Sequence, residues 1–116
     1  MSDLNWQELE TNEQLQDLIK NSEEKPQLIF KHSTSCSISS MALNRFKNAW
    51  NKHNTDSVQV NYLDILRNRN ISNEIANVFQ IRHESPQLLL VKSGECIHDS
   101  SHLGISLDIV LSKVKS

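Results

Sequence analysis

Cysteine, proline and glycine each occur only twice in this chain of 116 residues, and aromatic residues make up 5% of it. Two cysteines, Cys36 and Cys96, are too few for a disulfide framework and wrongly spaced for a zinc site. Positive charge is not in excess. Twelve Lys and Arg against 14 Asp and Glu leave a formal net charge of −2, which offers no electrostatic footprint for nucleic acid. No apolar run reaches membrane-spanning length, so no membrane partner is expected. Met1-Ser2-Asp3-Leu4-Asn5-Trp6 has neither a basic n-region nor an apolar h-region, so a secretory signal is not expected and a cytoplasmic location is. His53, His83 and His98 share no metal-ligand spacing with one another or with a carboxylate pair, and no metal is expected. Internal repeats and low-complexity segments are absent as well, and the length suits one domain over 1–116 with a real core.

What is present is a regular alternation of helical and extended patterns. Trp6-Gln7-Glu8-Leu9 is ambiguous, with a short extended piece as one reading. Thr11 or Asn12 can cap a helix running to about Asn21, with Leu15, Leu18 and Ile19 on one face. The segment around Pro26 breaks it, and Gln27 to His32 then reads as a strand whose unbroken Leu-Ile-Phe favours the interior of a sheet. After Cys36, apolar residues at Ile38, Met41, Ala42, Phe46, Ala49 and Trp50 predict a long amphipathic helix ending near His53. A polar loop, Asn54-Thr55-Asp56-Ser57, leads to an alternating strand from Val58 to Leu63. A helix is predicted from about Ser72 to Gln80, with Ser72 as its cap and Ile71 as a staple. Gln87 to Val91 is a second wholly apolar strand, followed by a tight turn at Lys92-Ser93-Gly94-Glu95, a strand Cys96 to His98, and a last helix from about Ser106 to Lys115.

Two βα steps favour parallel pairing with right-handed crossovers, and the closing hairpin adds an antiparallel strand. The pattern predicts an α/β fold with a central mixed sheet of about four strands and helices on both faces. This order resembles that of the thioredoxin fold, in which a cysteine opening the helix after the first central strand is the reactive one.

Cys36 stands at that point. A thiol there meets the unpaired N–H groups of the first helical turn and the positive end of the helix dipole, and both stabilise thiolate, the nucleophilic form. Thr34, Ser35 and Ser37 surround it with small polar groups, which argues against an inert apolar burial. A dithiol oxidoreductase needs a second cysteine three residues on to resolve a mixed disulfide. Here that residue is Ser39, whose hydroxyl could instead donate a hydrogen bond to the Cys36 sulfur one turn away. Lys31 and His32 end the strand close to Cys36; either cation would favour thiolate, but alternation lets only one face the site. Cys96 could act as a resolving thiol if its strand approached Cys36, or be a small residue on an outer strand. His102 precedes the last helix and is either a solvated loop residue or a member of the site.

Pro86 opens a predicted buried strand, where a missing N–H is tolerated at the first residue. In thioredoxin-like folds the matching proline is cis and lies beside the reactive cysteine, which would turn the backbone of Ser85 toward an extended substrate held against Cys36. A trans proline opening the strand is the plainer alternative.

The run Lys31-His32-Ser33-Thr34-Ser35-Cys36-Ser37-Ile38-Ser39 resembles the Ser-Thr-Thr-Cys-Pro-Ile-Ser signature of the monothiol bacilliredoxins, also called bacillithiol system redox-active proteins. The resemblance continues through Arg82-His83-Glu84-Ser85-Pro86-Gln87 and through Ser101-His102 with Ile105, and so covers nearly the whole chain from Leu28 onward. It implies a cytoplasmic thioredoxin-like protein that removes bacillithiol, or a similar low-molecular-weight thiol, from S-thiolated proteins. Cys36 would be the nucleophile, the small thiol a co-substrate, and no cofactor would be bound. Thr34, Ser35, Ser37, Ser39, Ser85, Pro86 and His102 would stabilise the thiolate or bind substrate. One position departs from the signature: Ser37 stands where the family has proline. Proline suits the first helical position; serine adds a backbone N–H and a hydroxyl near the sulfur, compatible with a stabilised thiolate in a less rigid loop. Ser37 and the missing resolving cysteine keep a second class open, a non-catalytic thioredoxin-like adaptor or redox-sensing module.

Overall fold

In the computed structural model, residues 6–53 and 58–114 are described. Met1 to Asn5, the polar loop Asn54-Thr55-Asp56-Ser57, and Lys115 at the expected end of the last helix lie outside them. The described elements run β1 (Gln7–Glu8), α1 (Asn12–Asn21), β2 (Gln27–His32), α2 (Ser37–His53), β3 (Gln59–Asp64), α3 (Arg69–Phe79), β4 (Gln87–Lys92), β5 (Glu95–Ser101) and α4 (Leu107–Val114), with a short 3-10 turn at His102–Gly104. The strands form one mixed sheet in the order β1-β3-β2-β4-β5. β3 is parallel to both β1 and β2; β4 is antiparallel to β2, and β5 to β4.

The sheet has five strands where about four were expected. The additional one is β1, whose two residues pair with Asn61 and Tyr62 of β3. Two residues cannot display a period, so only the pairing reveals them as a strand. The bounds of three elements also move. α3 begins at Arg69, ahead of Ser72, because the Asn68 carbonyl accepts the N–H of Ser72 and starts the helix by itself. Ser72 is therefore a buried residue of the second turn and not a cap, and Ile71 is core and not a staple. β3 starts one residue later than expected and extends through Asp64, while β5 runs on to Ser101.

Local chemistry explains the firmest elements. Thr11 caps α1 through a reciprocal pair: its Oγ1 accepts the Gln14 N–H at 3.1 Å, and the Gln14 side chain accepts the Thr11 N–H at 3.1 Å. The β4–β5 hairpin turns through Ser93 and Gly94, both left-handed with φ of 53° and 80°, as a two-residue turn between twisted strands requires. Their N–H groups are held by the carbonyl and hydroxyl oxygens of buried Ser22, at 2.9 and 2.8 Å.

The pleat divides the core in two. Leu28, Phe30, Leu88 and Leu90 face Ala42, Leu43, Phe46 and Trp50 of α2 and Leu107 and Val110 of α4. Ile29, Leu89 and Val91 face Leu15 and Leu18 of α1 and Ile71 and Ile75 of α3. Helices thus cover both faces, as expected. Fully burying one such side chain contributes roughly 1.5–3 kcal/mol, so these two clusters, more than helix propensity, hold the helices to the sheet.

Candidate functional site

The chain leaves β2 at His32, turns through Ser33 to Cys36, and enters α2 at Ser37. The Cys36 N–H donates to the Ser33 carbonyl at 3.2 Å, which closes the turn. Its own carbonyl accepts the Ser40 N–H at 3.1 Å, the first bond of the α2 ladder. The N–H groups of Ser37, Ile38 and Ser39 lie ahead of that ladder, at the positive end of a 17-residue helix with no acidic residue in its first turn. Cys36 is half-buried, while Thr34, Ser35 and Ser37 are exposed around it. A half-buried thiol so placed is reachable by a disulfide and lies beside the free N–H groups of the first helical turn.

Ser39 differs from expectation in its partners. It is fully buried, and its Oγ lies 2.7 Å from His32 Nδ1 and accepts the Ser33 N–H at 3.1 Å. Its hydroxyl is engaged by the end of β2, not by the Cys36 sulfur. A serine has one proton and two lone pairs, and the strand end supplies partners for them. The bond spans the cysteine turn and ties the exit of β2 to the first turn of α2. His32 is the residue that alternation sends to the Cys36 face, but it does not act there as a cation. Burial lowers its pKa; Asp64 opposes that shift and Lys47 adds to it, so the ring is neutral near pH 7. Lys31 points to the other face, where its Nζ reaches α3.

The Ser85–Pro86 peptide bond is cis. Antiparallel pairing sets Gln87 opposite Lys31, so Pro86, buried at the head of β4, lies at the end of β2 from which the cysteine turn departs. Ser85 Oγ is buried without a hydrogen-bond partner. The Pro86 carbonyl accepts the His102 N–H at 3.1 Å, and His102 Nε2 lies 3.8 Å from Glu84 Oε1. His102 also lines a cavity of about 710 Å³ with Ile38, Met41 and Arg45 of α2. Ser85, Pro86 and His102 are therefore brought together and linked to the head of α2 through this cavity.

Two residues of that cavity belong to the apolar stripe from which the amphipathic helix is predicted. Ile38 and Met41 are 54% and 69% exposed. Met41 precedes buried Ala42 and is turned from it by about 100° around the helix, off the face that Phe46 and Trp50 bury. The signal was an apolar stripe too wide for a single face.

Cys96 packs against the α1/α3 side of the core, its thiol donating to the His98 carbonyl at 3.4 Å, and burial pushes its pKa up. Its position fits the reading as a small residue on an outer strand. Both cysteines are unbridged. Among the described residues there is no group of three metal-ligating side chains, and no helix is long and apolar enough to cross a membrane.

A family model described as monothiol bacilliredoxin BrxC matches residues 7–110. Among solved structures, a thioredoxin-fold protein proposed to be an oxidoreductase is similar at 26% identity with a TM-score of 0.80, over 97% of this chain and 95% of that one. A thioredoxin from Malassezia sympodialis is similar at 16% identity and a TM-score of 0.71, over 94% of this chain and 87% of that one. A Schistosoma mansoni thioredoxin is similar at 19% identity and a TM-score of 0.70, over 96% of each chain. The fold is that of thioredoxin.

Proposed function

Because the chain belongs to the monothiol bacilliredoxin family, we propose that it removes bacillithiol, or a similar low-molecular-weight thiol, from S-thiolated proteins in the cytoplasm, as one domain. The Cys36 thiolate attacks the small-thiol sulfur of a protein mixed disulfide. The protein thiolate leaves, takes up a proton, and the small thiol remains on Cys36 as a new disulfide. A second small-thiol thiolate then attacks that adduct, leaving as a symmetrical disulfide and restoring the Cys36 thiolate. Ser85, Pro86 and His102 bind the substrate, and Thr34, Ser35 and Ser37 stabilise the thiolate. Ser39 serves the reaction through its bond to His32, which fixes the turn.

The observation that carries this reading is the accessible Cys36 at the N-terminus of α2, with a serine at the fourth position, bonded to His32, in place of a resolving cysteine. Intact-mass spectrometry after treatment with oxidised bacillithiol, and separately with oxidised glutathione, tests it. The expected result is one adduct, on Cys36, absent in Cys36→Ser. No adduct from either disulfide would overturn the enzyme reading and leave the non-catalytic adaptor.

A further inference from the structure

A second polar cluster lies on the sheet face opposite Cys36. Lys31 is completely buried in β2, and its Nζ donates to the Ser72 carbonyl at 3.2 Å and to His83 Nδ1 at 3.2 Å. Ser72 Oγ lies 3.2 Å from the same His83 nitrogen. An Nδ1 that accepts from an ammonium leaves Nε2 as the protonated nitrogen, so His83 has a donor to offer elsewhere. The backbone on either side of His83 is pinned by buried Gln87, whose side chain donates to the Arg82 carbonyl at 2.9 Å and accepts the Glu84 N–H at 3.4 Å. Gln87 in turn pairs with Lys31 across β2 and β4. The arrangement is built from the sheet outward and is not a chance meeting of surface side chains.

Beside it is a cavity of about 190 Å³ lined by Ile65, Arg69, Ser72, Asn73 and His83. Every polar side chain on its wall can donate a hydrogen bond, and none is a carboxylate. Burial lowers the pKa of Lys31 to about 8, with no acidic group contributing. The pKa of His83 is also lowered, first by burial and then by Lys31; Glu84 opposes this and Arg69 adds to it. A buried ammonium is costly without a counter-ion, and Lys31 has none among the described residues, while the cavity next to it presents the guanidinium, amide and imidazole donors that suit an anion. A cavity of this size has room for an oxyanion together with several of its waters.

We propose that this cavity, at the head of α3 and above the buried Lys31, binds a phosphate-class oxyanion. Arg69 and Asn73 supply side-chain hydrogen bonds, His83 donates from Nε2, and the Lys31 ammonium behind His83 and Ser72 supplies the field. The anion is either free phosphate or the phosphate of a nucleotide. The site is separate from Cys36, and its test is independent of the redox reading.

Backbone amide NMR titration of the reduced protein with inorganic phosphate, and in parallel with AMP, tests the proposal, with sodium chloride at matched ionic strength as control. Saturable shifts confined to residues 69–73 and 83, with phosphate alone or with AMP as well, are expected and identify the source of the anion. Arg69 is exposed, so Arg69→Gln should fold, and it should bind about tenfold more weakly for loss of one charge-assisted hydrogen bond. His83→Gln should also weaken binding while leaving Cys36 alkylation unchanged. Shifts no larger than those with chloride, or an unaltered titration in Arg69→Gln, would overturn it.

Discussion

Lys31 and His32 are consecutive basic residues at the end of one strand, both buried and both with pKa values lowered by burial, yet they serve opposite faces of the sheet. His32 faces α2 and meets a hydroxyl. A neutral imidazole needs no counter-ion, and its bond to Ser39 fastens the turn that carries Cys36. Lys31 faces α3 and meets a carbonyl and an imidazole nitrogen, acceptors that leave its charge uncompensated. The pleat alone separates the two. One face holds its polar cluster as a closed structural tie under the Cys36 thiol. The other holds an unbalanced charge beside a cavity.

The proposed reaction confines thiol chemistry to the His32 face, and the cysteines offer its most severe test. Cys36→Ser should abolish formation of a small-thiol adduct. Cys96→Ser should leave that first step at its original rate, because its thiol is on the Lys31 side of the core. Mass spectrometry of both variants after exposure to the oxidised small thiol measures the split. An adduct lost in Cys96→Ser would break the assignment of faces.

Lys31 provides the next largest effect. Its folded pKa of about 8 lies below its ordinary value of 10.5, so between those limits the unfolded chain holds a proton that the folded chain has released. The Lys31 contribution to stability therefore rises with pH from about 8 to about 10.5, by at most ~3 kcal/mol, while the raised pKa of Cys96 contributes with the opposite sign above about 9. In Lys31→Met that rise should be absent, and the variant should be no less stable than the parent at pH 7, since a buried charge without a counter-ion is exchanged for apolar packing. Urea denaturation in phosphate-free buffer at pH 7.5 and pH 10 checks both statements. A parent whose stability falls over that interval, with no difference from Lys31→Met, contradicts them.

The same contrast shows what was legible before the structure. β2, α2 and the β4–β5 hairpin follow from an apolar run, a 3.6-residue period and a Ser93-Gly94 turn, signals written into neighbouring residues. Alternation also made clear that Lys31 and His32 must part, though not which would face Cys36. Ser39 was legible as the residue standing where a resolving cysteine would be. Its bond to His32 was not, since it depends on how the Ser33–Cys36 turn folds back. The partner of Lys31 lies in the segment before β4, and no local pattern joins positions so distant in the chain. β1 was ambiguous because parallel pairing with β3, and no pattern of its own, makes it a strand.

Ser39→Ala comes third. Removing the hydroxyl leaves His32 Nδ1 and the Ser33 N–H buried without that partner, which costs about 1–3 kcal/mol. Because Ser33 also closes the turn onto the Cys36 N–H, alkylation of Cys36 should slow in the variant. Ser39→Cys should restore less of the stability than serine itself, a thiol being a weaker hydrogen-bonding group. Thermal melts combined with iodoacetamide kinetics separate this from a merely local loss; unchanged alkylation in Ser39→Ala would mean that the tie does not position the thiol.

The smallest effect lies in acid. The folded pKa of His32 is below 6.5, so as the pH falls through 6.5 the unfolded imidazole takes a proton that the folded one refuses. Stability decreases downward from about pH 6.5 until the folded value is reached, then ceases to depend on this group. The sign matches that of Lys31, but the window is separate and the change smaller, because the opposing Asp64 offsets part of the burial effect. His83 is shifted in the same direction, so the contribution of His32 is isolated by comparing His32→Gln with the parent in a His83→Gln background. Two distinct regions of rising stability, one removed by His32→Gln and the other by Lys31→Met, would show the two faces titrating independently. A single merged transition altered by either substitution would show that charge on one face is felt on the other, and that the pleat does not insulate the thiol turn from the cavity beneath α3.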